Sequence, residues 1–268
     1  MFMKKILLFI VLLAFPLFAM AQASGGQITR KRSNPSAKTQ KQSQGSKPRS
    51  NQAKPSSSSR NVVKISEPDG YINGHGYVDL GLPSGTKWAT CNIGAISPEQ
   101  HGDYFAWGET NGFNNGKTET SWSTYKWCNG SSKSLTKYNT EKKRGIVDNK
   151  TELDLEDDAA YVNWGAEWRM PSIEQFWELI DHRYTSTMAT KLRGLDGLKI
   201  KSKKNGHSLF LPLADFSSTD HGIYWSRSLS DFESCDACYL VFDLGFPPGS
   251  NCMYRYLGHS VRPVLSNK

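Results

Sequence analysis

The 268-residue sequence predicts an α+β domain, built from a mostly antiparallel sheet of short strands with two helices and preceded by a disordered basic linker. Strand-like segments stand at both ends of residues 65–268, and two helical patterns lie near the middle. Residues 22–64 contain ten Lys or Arg and no Asp or Glu, which separates them from the rest of the chain. The 204 residues from 65 to 268 are enough for one domain that buries roughly 70% of its unfolded surface.

Both predicted helices have recognisable starts. The first covers residues 154–164, "DLEDDAAYVNW", with acidic residues in its first turn, where they complement the helix dipole, and it ends at Gly165. The second covers about residues 173–182, and Ser172 with Gln175 forms its capping box. Apolar residues repeat with helical spacing at Ile173, Phe176, Trp177 and Ile180. This periodicity predicts that Phe176 and Trp177 both pack in the core.

The remainder of the domain is predicted to be short strands and loops. Residues 77–82, "YVDLGL", and 87–93, "KWATCNI", flank a Pro-Ser-Gly-Thr turn and predict a β-hairpin. Further strand candidates are "DYFAWGE", "LFLPLADF", "GIYWSRS", "CYLVFDL" and "NCMYRYLGHSVRPVL". Residues 111–150 are polar and rich in Asn, Gly, Lys and Thr, so they predict long surface loops.

The N-terminus has the pattern of a secretory signal peptide. Lys4 and Lys5 precede an apolar run, residues 6–18, which is too short for a comfortable membrane span. Residues 19–21, Ala-Met-Ala, fit the small-x-small cleavage pattern. We therefore predict that residues 1–21 are a signal peptide and that the protein is secreted, to the periplasm or to the cell surface, with no membrane span after the signal is removed.

The linker, residues 22–64, is predicted to be disordered because it has little apolar surface with which to offset the entropy of ordering. Its charge suits contact with polyanions, while the simpler interpretation is a solvated spacer. Signal and linker together hold 12 of the 33 basic residues, which leaves 21 basic and 25 acidic residues, a net charge of −4, in residues 65–268. The domain therefore shows no sign of a specific nucleic-acid partner.

Several stretches, taken in order, resemble a known family: "GYVDLGLPSGTKWATCNIGA", "GDYFAWGET", "DDAAYVNWGAEWRMPSIEQFWELI", "LFLPLADF", "GIYWSRS" and "GHSVRPV". Together they cover nearly all of residues 71–265 and are similar to the secreted FISUMP-type major paralogous domain of Bacteroidota and relatives. That family is similar to the C-terminal domain of Lcl-type adhesins. The resemblance implies a C-type-lectin-like fold and an exported location, but no reaction. Arg169 and Arg262 are then expected to be internal ties between loop backbone and sheet.

Cysteine chemistry offers an alternative interpretation. The five cysteines are Cys91, Cys128, Cys235, Cys238 and Cys252, and the sequence leaves their pairing open. Cys235 and Cys238 form a Cys-x-x-Cys motif that runs into a strand, whereas the thioredoxin-type motif begins a helix. Formylglycine-generating oxidases share the implied fold class and use a late cysteine pair, so a cysteine-dependent oxidase is the enzyme alternative.

Metal sites and cofactors are not indicated by any paired ligand spacing. Glu156, Asp157 and Asp158 are the kind of groups that hold Ca²⁺ in sugar-binding lectins, but adjacent residues on a helix point in different directions. The cysteines and histidines offer no second pair for zinc. The cofactor and any calcium dependence are therefore left open by the sequence.

The resemblance implies a ligand surface on the loops between the late strands, here residues 217–258. Polar side chains in this range are the candidate ligand-binding residues: Asp220, His221, Arg227, Asp231 and Arg255. We expect at least three of them to be exposed around one concavity. Strand alternation places Tyr254 and Tyr256 on one face and Arg255 on the other.

Taken together, these observations predict an exported, non-catalytic binding module. Its adhesin-like, lectin-like domain would meet an extracellular glycan or protein ligand, an inference that rests on fold analogy. The alternatives are the cysteine-dependent oxidase and a structural subunit of a surface assembly, which an unpaired long edge strand would favour.

Overall fold

A computed structural model describes residues 63–113, 120–214 and 220–265. The predicted signal peptide, residues 1–21, and all but the last two residues of the predicted linker lie outside these ranges. Within them, three largely antiparallel sheets and two α-helices confirm the α+β class. The helices are α1 (Ala159–Trp164) and α2 (Ile173–Ile180). The strands are β1 (Gly70–Ile72), β2 (His75–Asp79), β3 (Lys87–Ala89), β4 (Tyr104–Phe105), β5 (Trp168–Arg169), β6 (Thr185–Leu192), β7 (Leu195–Ser202), β8 (Ser208–Pro212), β9 (Gly222–Leu229), β10 (Asp236–Phe242), β11 (Gly249–Tyr254), β12 (His259–Ser260) and β13 (Val264–Leu265).

The first and last strands of the described chain, β1 and β13, belong to the same sheet. The first sheet has the order β1-β2-β3-β13-β5, the second β11-β10-β9-β12-β4, and the third β6-β7-β8. The pairing of β12 with β9 is parallel, whereas the other strand pairs are antiparallel. The hairpin predicted from the turn at residues 83–86 is confirmed, because β2 pairs with β3 and Val78 lies opposite Trp88.

Two apolar cores lie on opposite sides of the second sheet. Alternation along β9 sends Tyr224 into one core, with Trp88 and Phe176, and Trp225 into the other, with Trp168. Arg169 donates from Nε to Asp158 at 2.9 Å. Arg262 donates to Asn92 Oδ1 and to the Ala89 and Thr90 carbonyls. Both arginines are therefore internal ties, as expected.

The start of α2 is confirmed and its length is shorter than predicted. Ser172 Oγ accepts from the Gln175 backbone N–H, and Gln175 Oε1 accepts from the Ser172 N–H, which completes the capping box. The helix ends at Ile180, because Asp181 adopts an extended conformation. Residues 154–164 do not form one helix, since Asp158 is extended and its carboxylate caps α1 by accepting from two backbone N–H groups.

The described part of residues 111–150 contains no α-helix or β-strand, as the prediction of long loops requires, but it does not lie wholly on the surface. Apolar side chains of this stretch are buried, namely Phe113, Tyr125, Leu135 and Tyr138. The loop can pack inward because its polar backbone is satisfied internally: Asp148 accepts from the N–H groups of Tyr138 and Asn139 at 2.8 Å each.

The hairpin β6–β7 was not singled out by the sequence. Its two-residue turn is Arg193-Gly194, and both residues have positive φ, 48° and 93°, as a type I′ turn requires. Arg is an uncommon residue in this conformation, so the usual Asn-Gly or Asp-Gly signal is missing.

Candidate functional site

The five polar candidates do not share one concavity. Asp220 and His221 lie just before β9, and Arg227 lies near its other end. At ~3.3 Å per residue, His221 and Arg227 are about 20 Å apart along the strand. Asp220 and Asp231 are exposed, while His221 and Arg227 are half-buried and Arg255 is buried.

Two of the candidates, Arg227 and Arg255, hold the fold together. Arg227 donates from Nη1 to the Met170 carbonyl at 3.0 Å and from Nε to Glu152 at 3.1 Å. The guanidinium of Arg255 is buried, and its Nη1 donates to the Tyr138 carbonyl at 2.7 Å. Arg255 is therefore not among the exposed candidates, because its side chain turns inward from the face that carries Tyr254.

A group of aromatic side chains, two of them exposed and two partly buried, lies instead along β11, an edge strand of the second sheet. It consists of Trp122, Trp177, Tyr254 and Tyr256, which we call the aromatic stripe. Tyr254 stacks on Tyr256 with ring centroids 5.6 Å apart, so the two rings lie on the same side as predicted, although β11 ends at Tyr254 and Tyr256 belongs to the turn that follows. Trp122 contacts both rings edge-on, at 5.7 Å and 4.9 Å. Tyr254 remains 48% exposed.

Trp177 forms the other end of the stripe, and the prediction that it packs in the core is wrong. Phe176 is buried, but Trp177 is 51% exposed, since neighbouring residues of a helix are turned by about 100° from each other. The buried side of α2 is formed by Ile173, Phe176 and Leu179. The indole N–H of Trp177 donates to Ser250 Oγ on β11 at 2.8 Å, which ties the ring to the edge strand.

A disulfide lies between the two ends of the stripe. Cys238 on β10 is bonded to Cys252, the residue directly opposite it on β11. Ser250, Cys252 and Tyr254 alternate along β11 and so share one face. The Cα atoms of Ser250 and Tyr254 are about 13 Å apart at ~3.3 Å per residue. The stripe is thus an apolar surface of fixed spacing on a cross-linked strand.

Of the remaining cysteines, Cys235 has little nucleophilic character. Within the described chain, Cys91, Cys128 and Cys235 are unpaired, and Cys128 and Cys235 are buried. Burial, together with the nearby Asp236 carboxylate, raises the pKa of Cys235 to about 12. Because the thiolate is the reactive form, Cys235 is a poor nucleophile near neutral pH. Cys238 belongs to the disulfide, so the Cys-x-x-Cys motif does not act as a dithiol here.

One acidic group, Asp154, Glu156 and Asp157, has carboxylates close enough to hold a cation. The Lys137 ammonium already lies among them, 2.6 Å from Asp154 and from Asp157. Asp157 is buried and also accepts from the Tyr138 hydroxyl at 2.6 Å. These three acidic residues therefore form an ion-pair network around Lys137. The sequence had predicted that acidic residues here act on the helix dipole.

The sequence could have indicated part of the stripe but not all of it. The spacing of Tyr254 and Tyr256 placed both rings on one face. Trp122 and Trp177 come from distant parts of the chain, and no local pattern brings them to β11.

No helix of the described residues has the length and apolar character needed to cross a membrane. No family model, curated protein or solved structure matches this chain.

Proposed function

We propose that this protein is an exported, non-catalytic binding module of the FISUMP type, with a C-type-lectin-like domain that binds an extracellular glycan at the aromatic stripe. The sequence resemblance supports the fold family, and the signal pattern supports the export. The ligand class follows from the chemistry of the stripe.

The observation that carries the proposal is the contrast between buried and exposed aromatic rings. Folding removes Trp88, Trp107, Trp168 and Trp225 completely from solvent. Trp177 and Tyr254 stay about half exposed, although each has a neighbouring ring or strand to pack against. Exposed aromatic surface gathered in one place is typical of interaction sites.

Glycan chemistry suits the stripe better than charged ligands do. Its four side chains carry no charge, and hydroxyl groups flank it, with Ser250 at one end and Ser121, Ser123 and Thr124 near Trp122. A pyranose ring presents C–H groups that contact an aromatic face, while its hydroxyls exchange hydrogen bonds at the rim. Rigid rings make such contacts at a small entropic cost.

A protein ligand is the second candidate. Leu244 and Phe246 lie in the loop between β10 and β11, and both side chains are exposed. This loop leads directly into the stripe, so a protein partner could extend the apolar contact beyond Trp177. The oxidase alternative is disfavoured by the high pKa of Cys235 and by the Cys238–Cys252 disulfide.

The proposal is tested by probing a glycan array with the full chain and titrating the best-bound oligosaccharide by calorimetry. Trp177→Ala and Tyr254→Ala should each weaken binding by tenfold or more, equivalent to about 1.4 kcal/mol. Tyr71→Ala is the matched control, since Tyr71 is an exposed aromatic residue on β1 in the first sheet. Glycan binding that survives both stripe variants would refute the assignment. An empty array, with a protein partner whose binding depends on Phe246, would favour the second candidate.

A further inference from the structure

The strand β6 is a long sheet edge that the described chain leaves open. It has eight residues, and its only partner in the third sheet is β7. Ser186, Thr187, Met188 and Ala189 are exposed one after another, so neither face of this part of the strand is covered. An edge of this kind presents unpaired backbone N–H and C=O groups to solvent.

Hairpin geometry identifies which backbone groups are free. A two-residue type I′ turn is closed by a hydrogen-bonded pair, here Leu192 and Leu195, and hydrogen-bonded pairs then alternate with non-bonded ones. Residues 191, 189 and 187 consequently point their N–H and C=O groups away from β7. Thr185 belongs to the same alternating set, and its N–H points away from β7 and donates to the Asp181 carbonyl. No described residue pairs with the outward groups of Thr187, Ala189 or Lys191.

The other described edges are short or shielded. β1 has three residues, while β4 and β5 have two each. On β11 the Cys252 N–H is bonded to the Asn251 side chain at 2.8 Å. Beside β8, the Ser66 and Ser208 hydroxyls exchange hydrogen bonds with each other's backbone. β6 is therefore the described edge best suited to strand addition.

We propose that β6 pairs antiparallel with β6 of a second copy of this chain, across a two-fold axis at Ala189. In this register Ala189 lies opposite Ala189 of the second copy, and Thr187 lies opposite Lys191. Each copy then satisfies three outward N–H groups and three outward C=O groups. The two small methyl groups at the axis let the strands approach without a steric clash.

Charge disfavours the two other registers that would place an outward-facing residue, Lys191 or Thr187, on the two-fold axis. A two-fold axis at Lys191 would place two ammonium groups opposite each other, and an axis at Thr187 would bring Lys191 alongside Arg183. A lysine on an edge strand usually discourages pairing. In the register centred on Ala189 each Lys191 lies opposite an uncharged Thr187, and its ammonium already has an ion-pair partner, Asp196 on β7.

Cross-linking of the full chain tests both the dimer and its register. Hydrogen-bonded antiparallel partners have Cα atoms about 5.5 Å apart, within disulfide range, so Ala189→Cys should give a covalent dimer under mild oxidation. Ser186→Cys is the matched control, because Ser186 is exposed on the same strand but would lie about 20 Å from its copy. The wild-type chain measures the background from its own free cysteines.

A second variant tests the backbone pairing without a new thiol. Ala189→Pro removes one outward N–H and no hydrogen bond to β7, so sedimentation velocity should show a dimer for the wild type and a monomer for the variant. A wild-type monomer at every concentration, or equal cross-linking at positions 186 and 189, would overturn the proposal. Should the proline variant fail to fold, the cross-linking result decides alone.

Discussion

Phe176 and Trp177 are neighbours on α2, and truncating each to alanine should separate a core ring from a surface ring. Phe176 is fully buried, so Phe176→Ala should lower the free energy of unfolding by about 3–5 kcal/mol through lost burial and a new cavity. A fully buried aromatic side chain removes about 150–250 Å² from water. Trp177 is 51% exposed, so its side chain buries only about 100 Å² on folding. At ~25 cal/mol per Å² this gives at most about 2.5 kcal/mol, with no enclosed cavity.

Equilibrium urea denaturation of both variants measures the difference. Equal m-values would show that the midpoints report stability and not a change in the unfolded state. The expected order is a clearly larger loss for Phe176→Ala than for Trp177→Ala. If Trp177→Ala costs as much as Phe176→Ala, the indole is buried in solution, and the aromatic stripe loses one of its two ends.

Three further predictions concern the stability of the domain. Ser172→Ala should cost about 1 kcal/mol in the same assay, as for a lost helix N-cap. Burial alone would raise the pKa of Asp148, but backbone N–H hydrogen bonds outweigh it and hold that pKa below its usual range. Its stabilisation is therefore present at neutral pH and lost as the pH falls below about 4, so Asp148→Asn should flatten the acid side of the pH–stability profile. Replacing Cys238 and Cys252 by Ser together should cost about 3 kcal/mol, and reductant should destabilise the wild type but not the variant.

The parts of the fold that were predictable from sequence are those with local signals. The capping box at Ser172 fixes the start of α2, and the turn at residues 83–86 fixes the β2–β3 hairpin, because neighbouring residues alone determine both. Each of these signals is read within a few residues of the chain.

The errors arise where long-range contacts decide the outcome. The helical periodicity predicted that Trp177 lies in the core. How many side chains of α2 are buried depends, however, on which strands pack against the helix. Trp177 contacts the edge strand β11, through the Ser250 hydroxyl, and stays half exposed. Arginine is common in binding sites, which made Arg255 a candidate. Its guanidinium instead donates to a backbone carbonyl in a loop more than a hundred residues earlier. The polar composition of residues 111–150 likewise gave no indication that Tyr138 is buried. Its loop packs inward because the Asp148 carboxylate accepts a hydrogen bond from the Tyr138 backbone N–H.

The aromatic stripe and the β6 edge together lead to a last prediction, which rests on both proposals. A dimer carries two stripes, so a surface that repeats the glycan is bound by two sites at once, and such avidity exceeds the single-site affinity by roughly 10²–10⁴-fold. Ala189→Pro should therefore weaken binding to a glycan-coated surface by at least tenfold while leaving calorimetric titration with the free oligosaccharide unchanged. Trp177→Ala should weaken both measurements, because it alters each site directly. If Ala189→Pro forms a monomer yet binds the coated surface as tightly as the wild type, the two stripes of the dimer do not engage one surface together.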